Sequence, residues 1–568
     1  MILSSDEQVQ IYTERGWWGE RTLSDLFLRN VERSPEALAV VDPPNRAALA
    51  AGEPQRLTYA ETKTATDRLA NALLEAGVGK DDIVMVQLPN IAELVVTYLA
   101  CARLGAILSP LPMQFRTHEL RHVMGQTEPK VYITTVDFGG HDHVAMVQGL
   151  RPEFPCVTHM IALGDDLPAG VGSLAAILNT DADTSRVDAH AAARPSSAND
   201  VFTVCWTSGT VAEPKGVPRS HNMWIAIAWA TVDGAGLQEG DALLNPFPLV
   251  NMSAIGGMLV PWLLTRGKLA LHQPFDLPVF LGQLGSEAIA YTVAPPVVLN
   301  ILLLRPGLLE NADLSHIRYI GSGSAPLSPS MVARWQEEHG IPILNLFGAN
   351  EGTALLSDPV DIPDPAERAL SFPRFGVPGF TWSNRVASMI ETKLLQPETR
   401  EVVTEPGAPG ELAIRGATVF SGYWMRSDLT EASFDAEGYF LTGDLFAIAG
   451  EAGDRYRFVG RLKDLIIRGG MNIAPEEIEY LLADHPRIQE IAVVGVPDGR
   501  KLGEEVVTAV VVPKEGEALK LGDLVDFLNV KDIAAYKLPR KLVVVLSLPH
   551  NAVGKVLKRE IRQQVGEG

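Results

Sequence analysis

Residues 201–220 read VFTVCWTSGTVAEPKGVPRS, an apolar strand pattern running into a Ser/Thr/Gly-rich loop that carries one lysine. Phosphate oxygens need several donors brought close to them. Small residues let backbone N–H groups approach, while hydroxyls and Lys215 supply hydrogen bonds and charge. The loop therefore reads as a pyrophosphate cradle. It is not a Walker A loop, which needs glycine before the lysine and Ser/Thr after it, because Pro214 and Gly216 stand in those places. Taken alone, the segment also fits an ordinary surface loop.

Outward from that loop, the chain alternates helices with short apolar strands. Thr58 to Gly77 places Ala65, Leu69, Ala72 and Leu73 at helical spacing and leads into the buried-strand pattern DDIVMVQLPN at 81–90. A helix is predicted from about Ile91 to Leu104, with the apolar run AILSPL behind it. KVYITT, VTHMIAL, KLALH and IRYIGSG continue the series, the signature of an α/β protein with largely parallel sheets. The pattern changes near residue 460. Helix PEEIEYLLADH, strands EIAVVGVP and VVTAVVVP, helix LGDLVDFLNV and strand KLVVVLSL form a separate α+β unit, which divides the chain into residues 1–460 and 461–568.

With 568 residues, 46% of them hydrophobic and 21% charged, the chain has globular composition and exceeds what one core can serve. A formal net charge of -21 excludes nucleic acid as a main partner. MILSSDEQVQIYTERGWWGE has neither the basic nor the apolar region of a leader, so neither a signal peptide nor a transit sequence is expected. The most apolar stretch, Ala242 to Leu264, is broken by Asn245, Pro246, Pro248, Asn251 and Pro261; buried strand and loop are expected there, with no membrane span. Cys101, Cys156 and Cys205 lack metal-ligand spacing and suit a reducing, cytoplasmic setting.

Further motifs follow in order: GSGSAPLS at 321–328, FGANEG at 347–352, YFLTGDL at 439–445, GRLKDLIIRGGMNIAPEEIE at 460–479 and HNAVGKVLKREI at 550–561. Together with TSGT and PKG, they resemble the adenylate-forming superfamily of acyl-CoA synthetases, luciferase and adenylation domains over nearly the whole chain. The resemblance implies a large N-terminal α/β domain with mostly parallel sheets and a small mobile C-terminal α+β domain, hinged near Lys463. It implies a ligase that uses ATP, Mg2+ and coenzyme A to convert a small-molecule carboxylic acid to its thioester through an acyl-adenylate.

Carried over residue by residue, the resemblance implies that Thr207, Ser208, Gly209, Thr210 and Lys215 hold the β- and γ-phosphates. Ser324, Ala325 and Pro326 would line the adenine side, with Phe347 stacked on the base and Gly348 and Asn350 beside it. Glu351 would bind magnesium, and Asp444 with Arg461 the ribose hydroxyls, Asp444 from the tight turn Thr442-Gly443-Asp444. Lys555 would stabilise the charge developing at phosphorus during adenylation. Rotation about Lys463 would then bring Gly469 and Gly470 to the coenzyme A tunnel. Two departures stand out: Val211-Ala212 replace the usual Thr-Gly, and Asn350 replaces threonine.

The acyl pocket is expected from residues 247–258, 321–324 and 348–350, with Asn251, Met252, Ile255, Gly256, Gly323 and Ala349 on its wall. Met252, Ile255 and the paired Gly256-Gly257 suggest an apolar, roomy site for an alkyl, alicyclic or aromatic acid. The resemblance also covers a stand-alone adenylating enzyme that loads a carrier protein. A non-catalytic binding protein on the same scaffold is disfavoured by the retention of Lys215, Glu351, Asp444, Arg461 and Lys555. A homodimer is one arrangement the sequence leaves open.

Overall fold

The computed structural model of the chain describes residues 1–181, 183–207, 214–468, 471–497, 505–531, 533–550 and 556–566, with the backbone alone at 471 and 472. The alternation of helix and strand is realised as two sheets with helices between and around them. Ile83–Gln87 is buried at every residue and pairs parallel to both Ile107–Pro110 and Val131–Thr135, which is what a continuous apolar run demands. This seven-stranded sheet is closed at one edge by the antiparallel pair Val201–Thr207 and Lys215–Ser220. The second sheet, of eight strands, has a parallel centre in which Ala242–Asn245, Ile289–Val293, Tyr319–Gly323 and Ile343–Gly348 follow one another.

All 13 residues of the helix Ala92–Leu104 are buried. Most of its surface is apolar and its two charges are paired inside, Glu93 with Arg46 at 2.6 Å and Arg103 with Asp67 at 3.2 Å, so it can be covered all round. It shares one core with Val84 and Val86 of the first sheet and Val40, Leu243 and Leu269 of the second, so it forms the layer between them. His221–Gly234, capped by Ser220 through Met223 N–H, contributes Trp224, Ile227 and Ala228 to the same core. A third, antiparallel sheet of five strands ends the large domain, with Arg455–Arg461 its last strand in the chain.

The stretch from Ala242 to Leu264 differs from the expectation beyond its strand Ala242–Asn245. Past Val250 it is helical: Met252–Ala254, a π-helical turn Ile255–Leu259 and Val260–Thr265. Pro261 sits in the first turn of the last segment, where its missing N–H costs little. Among the described residues no helix is long and apolar enough to cross a membrane.

The small domain packs helices Pro475–Ala483, Leu521–Val530 and Lys558–Gly566 around the strands Ile488–Pro497, Glu505–Pro513 and Lys541–Val544. The last strand is shorter than KLVVVLSL suggests: its pairing with Glu505–Pro513 ends at Val511 opposite Val544, and Leu546 stands exposed. Two of the helices are tied together by a buried ion cluster: Lys558 Nζ lies 2.7 Å from Glu476 Oε1 and 2.9 Å from Glu479 Oε1. Removing the cation that pairs with both carboxylates leaves the two stranded. Lys558→Met is therefore expected to destabilise the small domain by ~3–5 kcal/mol, seen in calorimetry as a lowered transition; an unshifted transition would show that the cluster holds nothing.

Candidate active site

The strand pair at the sheet edge sets Thr207 directly opposite Lys215, so the two ends of the 208–213 loop lie side by side. Lys215 N–H donates to Thr207 Oγ1 at 3.4 Å. Ser208, Gly209, Thr210, Val211 and Ala212 lie outside the described residues. Lys215 Nζ lies 4.4 Å from the centre of the Tyr423 ring and donates to its hydroxyl at 3.4 Å. That hydroxyl in turn donates to Glu351 Oε1 at 2.9 Å. A cation, a phenol and a carboxylate from three distant parts of the chain thus stand in one row. Burial, and next the Glu351 charge, push the Tyr423 hydroxyl above its usual pKa, so it stays a donor.

Glu351 is held through its neighbours. Its carbonyl accepts Phe420 N–H at 2.9 Å, and the Gly352 carbonyl accepts Thr418 Oγ1 at 2.8 Å. Gly352 has φ +111°, and any side chain there would overlap the Thr418 carbonyl oxygen. Arg219 is fully buried and donates to the carbonyls of Asn350 at 2.9 Å, Thr418 at 2.8 Å and Met223 at 3.1 Å, with Trp224 beneath it. Burial lowers its pKa to about 9. The departure at Asn350 has a visible consequence: its Oδ1 accepts Met252 N–H at 2.8 Å, tying the loop before Glu351 to the segment expected to bind the acyl group.

Thr442-Gly443-Asp444 is a bulge within the strand Phe440–Ala449, not the tight turn expected. Ala413 pairs with Leu441 and Glu411 with Leu445, so three residues of one strand face one of the other, with Gly443 at φ +70°. The bulge aims Asp444 across the sheet at Arg461, whose Nε donates to Oδ1 at 2.5 Å. Burial opposes the Arg461 charge, yet Asp444 outweighs it and the pKa rises. Burial, and next the Arg461 charge, lower that of Lys463. Phe347 packs within 5.0–5.9 Å, centre to centre, of Phe372, Phe446 and Phe458.

A cavity of about 1830 Å³ runs between the domains. Ser324, Ala325, Pro326, Phe347 and Gly348 line it beside Asp444, Arg461 and Lys463. Its wall also has an apolar part, formed by Met252, Gly256, Gly323, Val293 and Leu346, and includes the hydroxyl residues Thr231, Ser253 and Thr353. Ile255 is absent from that wall: the π-helical turn directs it into the core between the sheets. Nor does Asn251 line the cavity; it caps the helix through Ala254 N–H. Ala349 donates its N–H to the Thr353 carbonyl in the neighbouring loop. Gly469, Gly470 and Lys555 lie outside the described residues, although the strands Ile466–Arg468 and Met471–Ile473 on either side of the glycines pair.

The sequence profile of the AMP-binding enzymes matches residues 27–424. The chain belongs to that family. The profile of the AMP-binding enzyme C-terminal domain matches residues 477–555. An indoleacetate–CoA ligase of Aromatoleum aromaticum is 34% identical over 90% of this chain and 94% of its own length. A medium-chain fatty-acid–CoA ligase of Escherichia coli is 30% identical over 99% of this chain and 93% of its own. The crystal structure of ATP-bound MatB from Rhodopseudomonas palustris superposes with a TM-score of 0.79 at 26% identity, covering 96% and 99% of the two chains.

Two residues at this site are missed by motif reading. Tyr423 lies in FSGYWMRS, where the only cue is an aromatic pair after glycine, and Arg219 follows PKG as one more basic residue. Their roles come mostly from partners distant in sequence: Tyr423 meets Lys215 and Glu351, 208 and 72 positions away, and Arg219 meets Asn350 and Thr418, 131 and 199 positions away. Gly352 supplies a direct check on the loop they hold. Gly352→Ala is expected to lose ~2 kcal/mol or more of stability, since the strained backbone and the Thr418 carbonyl both oppose a side chain; an unchanged urea midpoint would show that the loop is not held as described.

Proposed function

We propose that the protein is an AMP-forming carboxylate–CoA ligase acting on an apolar organic acid. The observation that carries this reading is the single cavity joining an apolar lobe at Met252 and Gly256 to the Asp444–Arg461 pair. An acid seated in the lobe would present its carboxylate toward a nucleotide held by the pair. The indoleacetate and medium-chain fatty acid named for two relatives are both apolar acids, which supports CoA ligation of the same broad class.

In the first half-reaction a carboxylate oxygen attacks the α-phosphorus of ATP, and pyrophosphate leaves with the electrons of the broken P–O bond. Thr207 and Lys215, side by side at the base of the loop, would hold the β- and γ-phosphates, and Lys555 would meet the charge at phosphorus. Among the described residues no group of three or more His, Cys, Asp or Glu could hold a metal ion, and Glu351 suits the other mode, one carboxylate with the phosphates supplying the remaining oxygens. Magnesium bound there would offset the charge of the leaving pyrophosphate. Tyr423 would keep Glu351 and Lys215 in register. Asp444 and Arg461 would hold the ribose, and Phe347 the base, on the face its three aromatic neighbours leave to the cavity.

In the second half-reaction the thiol sulfur of CoA attacks the acyl carbon and AMP leaves. We place the pivot at Lys463 and the boundary just after Arg461, one residue past the 460/461 division expected from the sequence, where the last strand of the five-stranded sheet ends. The position of Lys463 in the turn Leu462–Asp464, just after the last strand of the five-stranded sheet, supports this. Gly469 and Gly470 would then line the CoA path. The three free cysteines suit a cytoplasmic enzyme.

A panel of carboxylic acids assayed for CoA-dependent AMP formation tests the reading, and no AMP with any acid would end it. Among the described residues the apolar lobe is lined by no carboxylate, so hydrophobic monocarboxylates are expected to exceed free amino acids by ~100-fold or more in kcat/KM. Comparable turnover of an amino acid would place an unrecognised anion in the lobe. Lys555→Ala is expected to cut pyrophosphate release by ~100-fold or more while largely sparing thioester formation from supplied acyl-adenylate. Equal losses in both steps would remove Lys555 from its role.

A further inference from the structure

The apolar lobe contains a polar atom that the fold does not use. Tyr291, on Ile289–Val293, is fully buried, and its hydroxyl has no hydrogen-bond partner among the described residues. Tyr291 borders the cavity together with Val293, Gly321 and Leu346. The strand register explains its reach. Tyr291 pairs with Tyr319, so Gly321 lies on the same face two residues farther along, and a Cβ on Gly321 would sit 2.5 Å from the hydroxyl oxygen. The bare backbone of Gly321 leaves the place that the hydroxyl occupies. A second orphaned hydroxyl, Thr353 Oγ1, belongs to another residue of the same cavity wall.

Buried hydroxyls without partners are rare, and each is costly to the free protein. Burial also raises the Tyr291 pKa, which keeps the phenol neutral and able to donate. Phenylalanine would fill this apolar wall equally well if only packing mattered. From this unsatisfied hydroxyl on a largely apolar wall we infer that Tyr291 determines specificity, and that the acid is a hydrophobic carboxylate bearing a hydrogen-bonding heteroatom, a hydroxyl or carbonyl oxygen or an N–H, remote from its carboxyl group. The inference rests on the ligase reading above and narrows it. A site built to pair with a polar substituent discriminates strongly against the analogue that lacks one, because the unsatisfied group then stays buried.

Matched acids test it: phenylacetate against its ring-hydroxylated isomers, and cyclohexanecarboxylate against its hydroxylated forms, by pyrophosphate release with the wild type and with Tyr291→Phe. At least one substituted acid is expected to exceed its parent by ~10-fold or more in kcat/KM, and Tyr291→Phe to bring that ratio near one. Thermal stability of the ligand-free variant should be unchanged or higher, since the hydroxyl bonds to nothing in the fold. A wild type that favours every parent acid overturns the inference, as does a preference surviving in Tyr291→Phe or a variant that melts lower and loses all acids equally. Robust pyrophosphate release with the parent acids alone would leave the ligase reading standing while this inference falls. No release with any acid would remove both.

Discussion

The guanidinium of Arg219 is the fixed point around which the catalytic side of the molecule is organised. It is fully buried, among the described residues no carboxylate forms an ion pair with it, and its charge is met by three carbonyl oxygens and the face of Trp224. Desolvating a cation is costly, so those carbonyls cannot drift away without exposing the full penalty. They belong to Asn350, Thr418 and Met223, while Arg219 itself sits on the strand that begins at Lys215. One side chain thereby locks together the lysine strand, the Glu351 loop and the segment leading to Tyr423. The row Lys215, Tyr423, Glu351 follows from that lock.

Room for an acyl group is made by subtraction. Gly256 stands in a π-helical turn where an added Cβ would meet Ile227 at 3.0 Å and Met252 Sδ at 3.1 Å, and Gly321 gives its space to the Tyr291 hydroxyl. Local widening of a helix and missing side chains create a lobe that close packing would otherwise fill. Asn350 then links the lobe to the catalytic loop through Met252 N–H. A substrate that shifts the Met252 segment would be felt at Glu351 through a single hydrogen bond.

The small domain touches the large one through a few polar contacts. Among the described residues, Ser328 Oγ and Ser330 Oγ donate to Asp484 Oδ1 at 3.0 and 3.1 Å. Gly460 leaves space for Glu476, whose Oε2 would lie 2.7 Å from a Cβ at that position. Such contacts are individually weak and readily exchanged with water, whereas the Lys558 cluster inside the small domain is buried. The domain is firm within itself and lightly held to its neighbour.

The alternation of strands and helices, the change of pattern near residue 460 and the ordered motifs were legible in the sequence, because burial on both faces of a strand and the chemistry of phosphate binding each impose a residue pattern. So were the places of Lys215, Glu351 and Asp444 in those motifs. What the sequence could not show is which residues meet. The helical form of residues 252–265 was hidden by Pro261, which stands at the start of the segment Val260–Thr265. Bulge and turn use the same Thr-Gly-Asp letters, and strand pairing alone separates them. Ile255 reads like a pocket residue until the helix phase sends it inward. Tyr423, Arg219 and the unpaired hydroxyl of Tyr291 carry no local signature at all, since each is defined by partners, or by the lack of one, that only the packing of distant segments supplies.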